Sequence, residues 1–238
     1  MSERGKTILV TGASKGIGQA TVERFWAADS DVKHFILLAR ESDEFVAAEQ
    51  QLLAANPHGK SFTSYRIDLA DRAAVEALME EISKTHGNVD YLINNAGFTA
   101  PAPIHEIRFD DFERTIGVNL YAPFTITQTL LHEGNHFEFI VNIASTAGMN
   151  GRSGWLTYSA SKAAVIAMSQ VMKEELAIYG TRVVCISPGR CATALRRTLA
   201  PDEDPSTIMQ PEDVAEVIDM LSSRSGRFVD SQNIVVRL

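Results

Sequence analysis

The sequence predicts an α/β protein in which helices cover both faces of a doubly wound parallel sheet of seven strands. Short β-rich apolar runs alternate with helical patterns from one end of the chain to the other. The run "FILL" at 35–38 is apolar without interruption, which is typical of a strand buried on both faces of a parallel sheet. A glycine-rich turn joins the first strand to the first helix.

Each element has its own local signal in the sequence. The predicted strands are 7–10, 34–39, 61–67, 90–94, 137–143, 182–187 and 233–237. The predicted helices are 16–28, 44–55, 71–86, 110–131, 158–179 and 211–222. Asp71 suits a helix N-cap and Pro211 a first helical position, while Gly87 and Gly180 suit helix ends. Segment 194–210 contains two prolines and an acidic run, so it is predicted as an irregular loop after the sixth strand, where open α/β sheets bind ligands.

Composition limits the classes of protein and partner that the chain fits. The 238 residues suffice for one large domain or two small ones, and without a linker or repeat we expect a single domain over 1–238. A net charge of −8 without a Lys/Arg stripe argues against nucleic acid as a partner. No apolar run approaches the ~20 residues of a membrane span, and no signal peptide precedes the first strand. Two cysteines, Cys185 and Cys191, provide no disulfide framework, so we expect a cytoplasmic protein.

The glycine-rich turn "TGASKGIG" indicates a dinucleotide site. Gly12, Gly16 and Gly18 allow a tight bend and let the backbone approach a pyrophosphate at the N-terminus of the first helix. The spacing differs from the general G-x-G-x-x-G pattern, and glycines after a strand often form only a turn. The position, between the first strand and the first helix, favours the nucleotide.

The end of the second strand indicates which dinucleotide binds. An NAD site usually places an acid there to hold the ribose 2′-hydroxyl. This chain has Ala39 at that position and Arg40 after it, and Lys15 lies in the glycine turn, so cations would converge on a 2′-phosphate. In the alternative, both cations are surface charges and Glu41 or Asp43 binds the ribose. We expect NADP(H), with NAD(H) as the weaker choice.

A second motif, "YSASK" at 158–162, places a phenol and an ammonium one helical turn apart. Tyr158 and Lys162 then share a helix face. A free phenol titrates near ~10, and a neighbouring ammonium would stabilise the phenolate and lower that pKa. By itself this spacing is common on ordinary amphipathic helices.

Together the motifs resemble the short-chain dehydrogenase/reductase family of the single-domain kind, which has a Rossmann fold. The resemblance covers nearly the whole chain in family order, through "TGASKGIG" (11–18), "DLAD" (68–71), "NNAG" (94–97), "VNL" (118–120), "IAS" (143–145), "YSASK" (158–162) and "PG" (188–189).

The resemblance implies four catalytic residues. Tyr158 would be the general acid in reduction and the base in oxidation, with its pKa lowered by Lys162. Lys162 would also hold the nicotinamide ribose, and Ser145 would donate a hydrogen bond to the carbonyl oxygen. Asn119 would anchor a water that links Lys162 to solvent.

The resemblance also implies how the dinucleotide is held. Asp68 and Leu69 would bracket the adenine, the Asn95–Gly97 turn would lie beside its ribose or stabilise the sheet, and Thr193 would face the nicotinamide. The full set of implied cofactor-binding residues is Gly12, Ser14, Lys15, Gly16, Ile17, Gly18, Arg40, Asp68, Leu69, Asn95, Ala96, Gly97, Tyr158, Lys162, Pro188, Gly189 and Thr193.

The expected activity is an NADP(H)-dependent interconversion of a small ketone or aldehyde and an alcohol, with the substrate covered by a loop at about 190–210. Arg190, Arg196 and Arg197 in that loop are surface charges, or one of them clamps an anionic group. Alternatives are a reductase of a sugar or polyol phosphate, a reductase of a 3-oxoacyl thioester, and a sensor that binds NADP without chemistry.

Two further expectations concern metal and assembly. "HEGNH" at 132–136 matches the H-E-x-x-H of zinc hydrolases, but Gly134-Asn135 is typical of a helix end, so no metal is expected. A homodimer or homotetramer is expected, because the family pairs its fourth and fifth inter-strand helices and "ASKAAVIAMS" is rich in small residues. The chain ends "FVDSQNIVVRL" where the family often has a glycine-rich tail, which weakens the case for a tetramer.

Overall fold

The computed structural model describes residues 5–229 and 231–238, which form one parallel sheet of seven strands in the order β3-β2-β1-β4-β5-β6-β7. The strands are β1 (Lys6–Thr11), β2 (Val32–Ala39), β3 (Ser61–Arg66), β4 (Tyr91–Asn94), β5 (Phe139–Ile143), β6 (Arg182–Pro188) and β7 (Ile234–Val236). The predicted fold class is therefore confirmed. The strand order reverses between β1 and β4, which are paired, and this is the point where doubly wound sheets bind ligands.

Eight helices are present in the described part of the chain. They are α1 (Gly16–Ala27), α2 (Asp43–Ala54), α3 (Arg72–His86), α4 (Phe109–Ile116), α5 (Ala122–His132), α6 (Leu156–Leu176), α7 (Ala194–Leu199) and α8 (Pro211–Ser222). The predicted N-cap is correct, since the Asp71 carboxylate accepts from the Ala74 amide at 3.0 Å. Pro211 is the first residue of α8.

Two predicted segments differ from the structure in type and not only in their end residues. The helix predicted over 110–131 is divided by a π-helical turn, Gly117–Tyr121, where the Ala122 amide donates to the Gly117 carbonyl. The segment predicted as irregular, 194–210, begins with α7. Here Thr193 supplies an N-cap, accepting from the Arg196 amide at 3.1 Å, and this local bond gives the start of the loop a helical turn.

The core lies on both faces of the sheet, as the uninterrupted apolar runs predict. Along β1, Ile8 and Val10 belong to one buried cluster and Leu9 to the other, because successive side chains point to opposite faces. The first cluster includes residues of α1 and α8, and the second includes residues of α3 and α5. Leu9 is fully buried, so its truncation to alanine would cost about 2–5 kcal/mol.

The H-E-x-x-H sequence does not lie on a continuous helix. His132 is the last residue of α5, and Gly134 has a φ of +82°. His136 follows in the connection to β5, away from the carboxyl ends of the strands.

None of the described helices has both the length and the apolar character needed to cross a bilayer.

Candidate active site

A cavity of about 650 Å³ lies at the carboxyl ends of the strands and brings together most of the predicted site residues. The predicted residues that line it are Gly12, Ser14, Lys15, Gly16, Ile17, Arg40, Asp68, Leu69, Asn95, Ala96, Gly97, Ser145, Tyr158, Lys162, Pro188, Gly189 and Thr193. Gly18 and Asn119 are not in the lining and lie behind its wall.

The glycine turn leaves the N-terminus of α1 open. Gly12 and Gly16 have φ values of +68° and +59°, a region that L side chains rarely adopt. No side chain caps α1 and no acid lies in its first turn, whereas Ser42 caps α2 and Asp71 caps α3. The unpaired amides and the helix dipole therefore present positive potential to the cavity, which suits a pyrophosphate.

Gly18 has a packing role that differs from the prediction. A Cβ atom on this residue would lie 2.2 Å from the Gly12 carbonyl oxygen and 2.4 Å from Asn95 Nδ2. Gly18 thus allows α1 to pack directly against the turn and β4, and it does not itself line the nucleotide cavity. Its small size is needed for close helix–strand packing.

The predicted structural role of "NNAG" is visible in the bonds between β1 and β4. The amides of Asn95 and Ala96 both donate to Thr11 Oγ1 at 3.0 Å, and Asn95 Nδ2 donates to the Thr11 carbonyl at 2.9 Å. These bonds hold the ends of the two strands together. Gly97 continues from this turn along the cavity wall.

At the end of β2, Arg40 differs from the other charges around it. Lys15 Nζ pairs with Glu44 at 3.0 Å, and the Glu41 carboxylate pairs with Arg66 at 3.0 Å. Within the described ranges, Arg40 pairs with no carboxylate, and it lines the cavity. The alternative in which Glu41 binds a ribose is disfavoured, since Arg66 already engages that carboxylate.

Asp68 has a partner that the sequence did not reveal. Its carboxylate accepts from Arg114 of α4 at 2.8 Å and from the Ala70 amide at 3.0 Å. Burial by itself would raise the pKa of the Asp68 carboxyl. The hydrogen bonds from Ala70 and Arg114 outweigh that effect, so the pKa is lowered. The Arg114 guanidinium also lies 5.2 Å from the ring centroid of Phe98, another lining residue.

Tyr158 is buried beside the cavity, and the pKa of its phenol is raised, whereas the sequence predicted a lowered pKa. Burial raises the pKa of its phenol to about 12, although a hydrogen bond with Ser145 and the charge of Arg196 act in the opposite direction. The prediction that Lys162 lowers this pKa is wrong for the protein's own side chains. The Lys162 ammonium lies 5.9 Å from the centroid of the Tyr158 ring and is directed toward the Ile143 carbonyl.

Lys162 donates instead to the Ile143 carbonyl at 2.7 Å, at the carboxyl end of β5. Only 3% of the residue is exposed, and burial lowers the pKa of its ammonium to about 8. The Nζ atom also lies 4.0 Å from the position of a Cβ on Gly97, so it stands between the ends of β4 and β5. Its remaining protons are available to a ligand in the cavity.

Gly148, which none of the sequence motifs included, positions Ser145 relative to Tyr158. A Cβ atom there would lie 2.6–2.8 Å from the backbone of Lys162 and Ala163. The turn after Ser145 therefore rests directly on α6, which fixes the Ser145 hydroxyl relative to Tyr158. A Ser-x-x-Gly spacing before the Tyr motif is the signal that could have revealed it.

Asn119 lies in the π-helical turn and joins two parts of the site. Its Oδ1 accepts from the Phe98 amide at 2.8 Å, and its Nδ2 donates to the Phe98 carbonyl at 3.0 Å and to Ser161 Oγ at 2.9 Å. Ser161 in turn donates to the Tyr158 carbonyl at 2.8 Å. The Asn119 side chain thus ties the loop after β4 to α6, the helix that carries Tyr158 and Lys162.

Comparison with known proteins agrees with this geometry. The family model for short chain dehydrogenases matches residues 6–204. The chain belongs to the short-chain dehydrogenase family. Among curated members, the 3-oxoacyl-(acyl-carrier-protein) reductase FabG of Thermotoga maritima is 32% identical over 247 residues, covering 98% of this chain and 97% of the relative.

Solved structures of the family include complexes with both dinucleotides. A protein described as an NAD(P)-dependent gluconate 5-dehydrogenase from Beutenbergia cavernae, with bound NADP, has a TM-score of 0.85 at 27% identity, covering 97% and 94% of the two chains. A 4-hydroxyisoleucine dehydrogenase complexed with NADH has a TM-score of 0.83 at 26% identity, covering 97% and 96%.

The end of the cavity lined by Ser145, Tyr158 and α7 is rich in arginine. Arg196 forms a two-pronged pair with Glu203, at 2.5 Å and 2.7 Å, and Arg190 reaches the same carboxylate at 3.4 Å. The predicted third arginine, Arg197, lines a separate cavity behind the glycine turn.

Two residues of this end, Arg152 and Trp155, were missed by sequence analysis. Both line the cavity, and the Trp155 ring lies 5.7 Å from the Arg152 guanidinium and 5.5 Å from that of Arg196. The contact of Trp155 with Arg196 joins residues more than 40 positions apart, so no local spacing could have indicated it, whereas Arg152 lies only three residues before Trp155.

Proposed function

We propose that the protein is an NADP(H)-dependent oxidoreductase that interconverts a ketone or aldehyde and an alcohol, with Tyr158 as its general acid and base. One observation carries the proposal. A single cavity is lined by the glycine turn before the uncapped α1 and by Ser145, Tyr158 and Lys162. A binding protein without chemistry would have no use for a phenol, a hydroxyl and an ammonium held at the far end of a nucleotide site.

The bound dinucleotide would supply or accept a hydride at this end of the cavity. A phenol with a pKa of about 12 is protonated at neutral pH, the form that must donate a proton to the carbonyl oxygen during reduction. Ser145 hydrogen-bonds to that phenol and would donate to the same oxygen. The Lys162 ammonium would hold the ribose hydroxyls of the bound dinucleotide and, with a pKa of about 8, stays mostly charged at neutral pH.

Asn119 supports these groups by position. Because both ends of its side chain are used by Phe98 and Ser161, the water-anchoring role that the sequence predicted would have to fall to its main chain in the π-helical turn. Such turns occur frequently at functional sites, since they displace a backbone carbonyl from the regular ladder.

Tyr158→Phe tests the chemistry without disturbing the fold. We expect kcat to fall at least about 100-fold, while the affinity for NADPH, measured by its fluorescence, stays within a few-fold. Tyr179→Phe is the matched control, since Tyr179 is largely exposed outside the cavity. Undiminished turnover of an accepted ketone by Tyr158→Phe would refute the mechanism. NADPH binding without turnover of any carbonyl would instead support the sensor alternative.

NADP(H) as cofactor is supported by the NADP complex of the gluconate 5-dehydrogenase relative and by Arg40 at the end of β2. A charge-assisted hydrogen bond to a 2′-phosphate contributes about 1.5–3 kcal/mol, or roughly ten- to a hundredfold in preference. Arg40→Asp should shift the ratio of kcat/KM values toward NADH by at least that factor. Arg72→Asp makes the same charge change on α3 outside the cavity and should leave the ratio unchanged.

A 3-oxoacyl thioester is the second candidate substrate, and the identity with the FabG relative supports it. The measurement is NADPH consumption with acetoacetyl-coenzyme A, compared with a panel of simple ketones and sugar phosphates. A kcat/KM for the thioester at least tenfold above the others would select this candidate. Equal or lower values would reject it.

We also propose a homodimer or homotetramer in the cytoplasm, with the chain as one domain and 190–210 as its substrate loop. The support for assembly is apolar surface on α4, α5 and α6, the helices that correspond to the predicted pairing regions. There Phe109, Phe124 and Val171 are 71%, 49% and 55% exposed. The support for the compartment is that both cysteines are free and buried. Light scattering of wild type and Phe124→Asp tests the assembly, and a wild-type monomer would reject it.

A further inference from the structure

The catalytic end of the cavity is cationic although the chain is acidic. The protein carries a net charge of −8. Yet Arg152, Arg190 and Arg196 line this end, and among the described residues the only carboxylates in the lining are Glu41 and Asp68, at the opposite, nucleotide end. A low-dielectric cleft lined by one sign of charge concentrates ligands of the other sign.

Two of these arginines are already compensated. Arg196 and Glu203 are 17% and 16% exposed, and their two short bonds form the fork-to-fork geometry that makes such pairs strong. Arg190 shares the same carboxylate. The hydrogen bonds from Arg196 hold the pKa of Glu203 below its ordinary range, so the carboxylate stays charged at neutral pH. This pair fixes α7 against the loop that follows it.

Arg152 lacks such a partner in the part of the chain that the structure describes. Its guanidinium contacts the Trp155 ring at 5.7 Å, and its side chain is exposed at the edge of the cavity. Trp155 is the residue immediately before α6, and its backbone carbonyl accepts the Ser159 amide at 2.8 Å in the first turn of that helix. The aromatic ring therefore holds a free cation close to the helical turn that carries Tyr158.

We propose that Arg152, held on the Trp155 ring, is the specificity-determining residue of an anion subsite, and that the substrate is a small carbonyl or hydroxy compound bearing a carboxylate or phosphate. This inference rests on the proposed function and names the substrate class of the same site. A guanidinium fork matches the planar oxygens of a carboxylate or the oxygens of a phosphate. Contact with an aromatic face orients the fork without consuming its charge.

The test compares ketones that differ only in charge. Acetoacetate is paired with acetoacetamide, and hydroxyacetone phosphate with hydroxyacetone, so that the two pairs distinguish a carboxylate from a phosphate. We expect wild type to favour the charged member of at least one pair by tenfold or more in kcat/KM. Arg152→Gln should reduce that preference about ten- to a hundredfold, mainly through KM, with the neutral ketone unchanged within about threefold.

Two variants control this comparison. Arg197→Gln removes a neighbouring loop charge outside the cavity and should leave the preference intact. Arg152→Lys keeps the charge without the planar fork and should restore only part of the preference. An equal charged-to-neutral ratio in wild type and Arg152→Gln would overturn the inference.

A binding measurement separates this inference from the proposed function. Calorimetry with malonate and with inorganic phosphate, in the presence of NADPH, needs no turnover. If no ketone is reduced but Arg152→Gln weakens binding of either anion at least tenfold, the anion subsite stands and the proposed reaction falls. If Tyr158→Phe abolishes turnover but both anions bind wild type and Arg152→Gln equally, the reaction stands and the subsite is refuted.

Discussion

Replacing Lys162 with methionine should abolish turnover and, at neutral pH, leave the fold as stable or more stable. The ammonium is 3% exposed, and its pKa falls from the ordinary value of 10.5 to about 8. At about 1.4 kcal/mol for each tenfold change, this fall corresponds to about 3 kcal/mol against folding with the charge present. Methionine removes that cost but leaves the Ile143 carbonyl unpaired, a loss of about 1–3 kcal/mol. The expected net gain at pH 7 is about 0–2 kcal/mol.

The dependence on pH is the sharper part of this prediction. The pKa of Lys162 is about 8 in the folded protein and 10.5 in the unfolded chain. Between these two pH values the unfolded chain binds more protons than the folded one, so the free energy of unfolding of the wild type increases as pH rises. Lys162→Met cannot titrate there, so its advantage should shrink by about 3 kcal/mol across this window and reverse in sign. Urea unfolding of both proteins at pH 7 and at pH 10.5 measures the difference.

Lys60→Met is the matched control for burial of a lysine. Lys60 is 4% exposed, but its ammonium donates to the Phe25 and Ala28 carbonyls at 2.5 Å and 2.6 Å, where α1 ends. Burial lowers the pKa of Lys60 as well, but its removal leaves two helix-end carbonyls unpaired instead of one, so Lys60→Met should destabilise the protein at pH 7, where Lys162→Met does not. A difference between wild type and Lys162→Met that is constant with pH, or a loss above about 3 kcal/mol at pH 7, would refute the reasoning.

Three other substitutions give distinct outcomes. Gly148→Ala places a methyl group into the Lys162 backbone, so it should cost about 1–3 kcal/mol in urea unfolding and lower kcat, whereas Gly151→Ala meets no atom within 4 Å and should do neither. Asn119→Ala removes the bonds that Asn119 makes to Phe98 and to Ser161, and we expect a loss of about 1–3 kcal/mol in urea unfolding together with a lower kcat; full activity would contradict its positioning role. Asp71→Ala removes an N-cap whose side chain lies outside the cavity lining and should cost about 1 kcal/mol without changing kcat, with Asp71→Ser restoring stability.

The features that the sequence predicts well are those with a local signal. The apolar run at 35–38 predicts a strand buried on both faces, and Phe35 to Leu38 are indeed buried in β2. The N-cap at Asp71 and the glycine turn depend on a few neighbouring residues, and the structure has both. The spacing of Tyr158 and Lys162 likewise places both residues on α6, lining one cavity.

The features that sequence reasoning missed depend on tertiary contacts. The pKa of Tyr158 is set by its burial, and Lys162 turns toward the Ile143 carbonyl because β5 ends beside it. Neither fact follows from a spacing of four residues. The contact of Trp155 with Arg196 likewise brings together two distant parts of the chain that no periodicity relates.

The π-helical turn at Gly117–Tyr121 determines which way the Asn119 side chain faces relative to α4 and α5. One additional residue is accommodated in the middle of what would otherwise be a single regular helix joining α4 to α5. A chain shortened by Val118 alone would close that helix with ordinary hydrogen bonds, while every side chain on one flank would rotate by about 100° relative to the other. Asn119 would then face a different neighbour, and an apparently conservative deletion would improve the backbone while disconnecting the loop after β4 from the helix that carries the phenol.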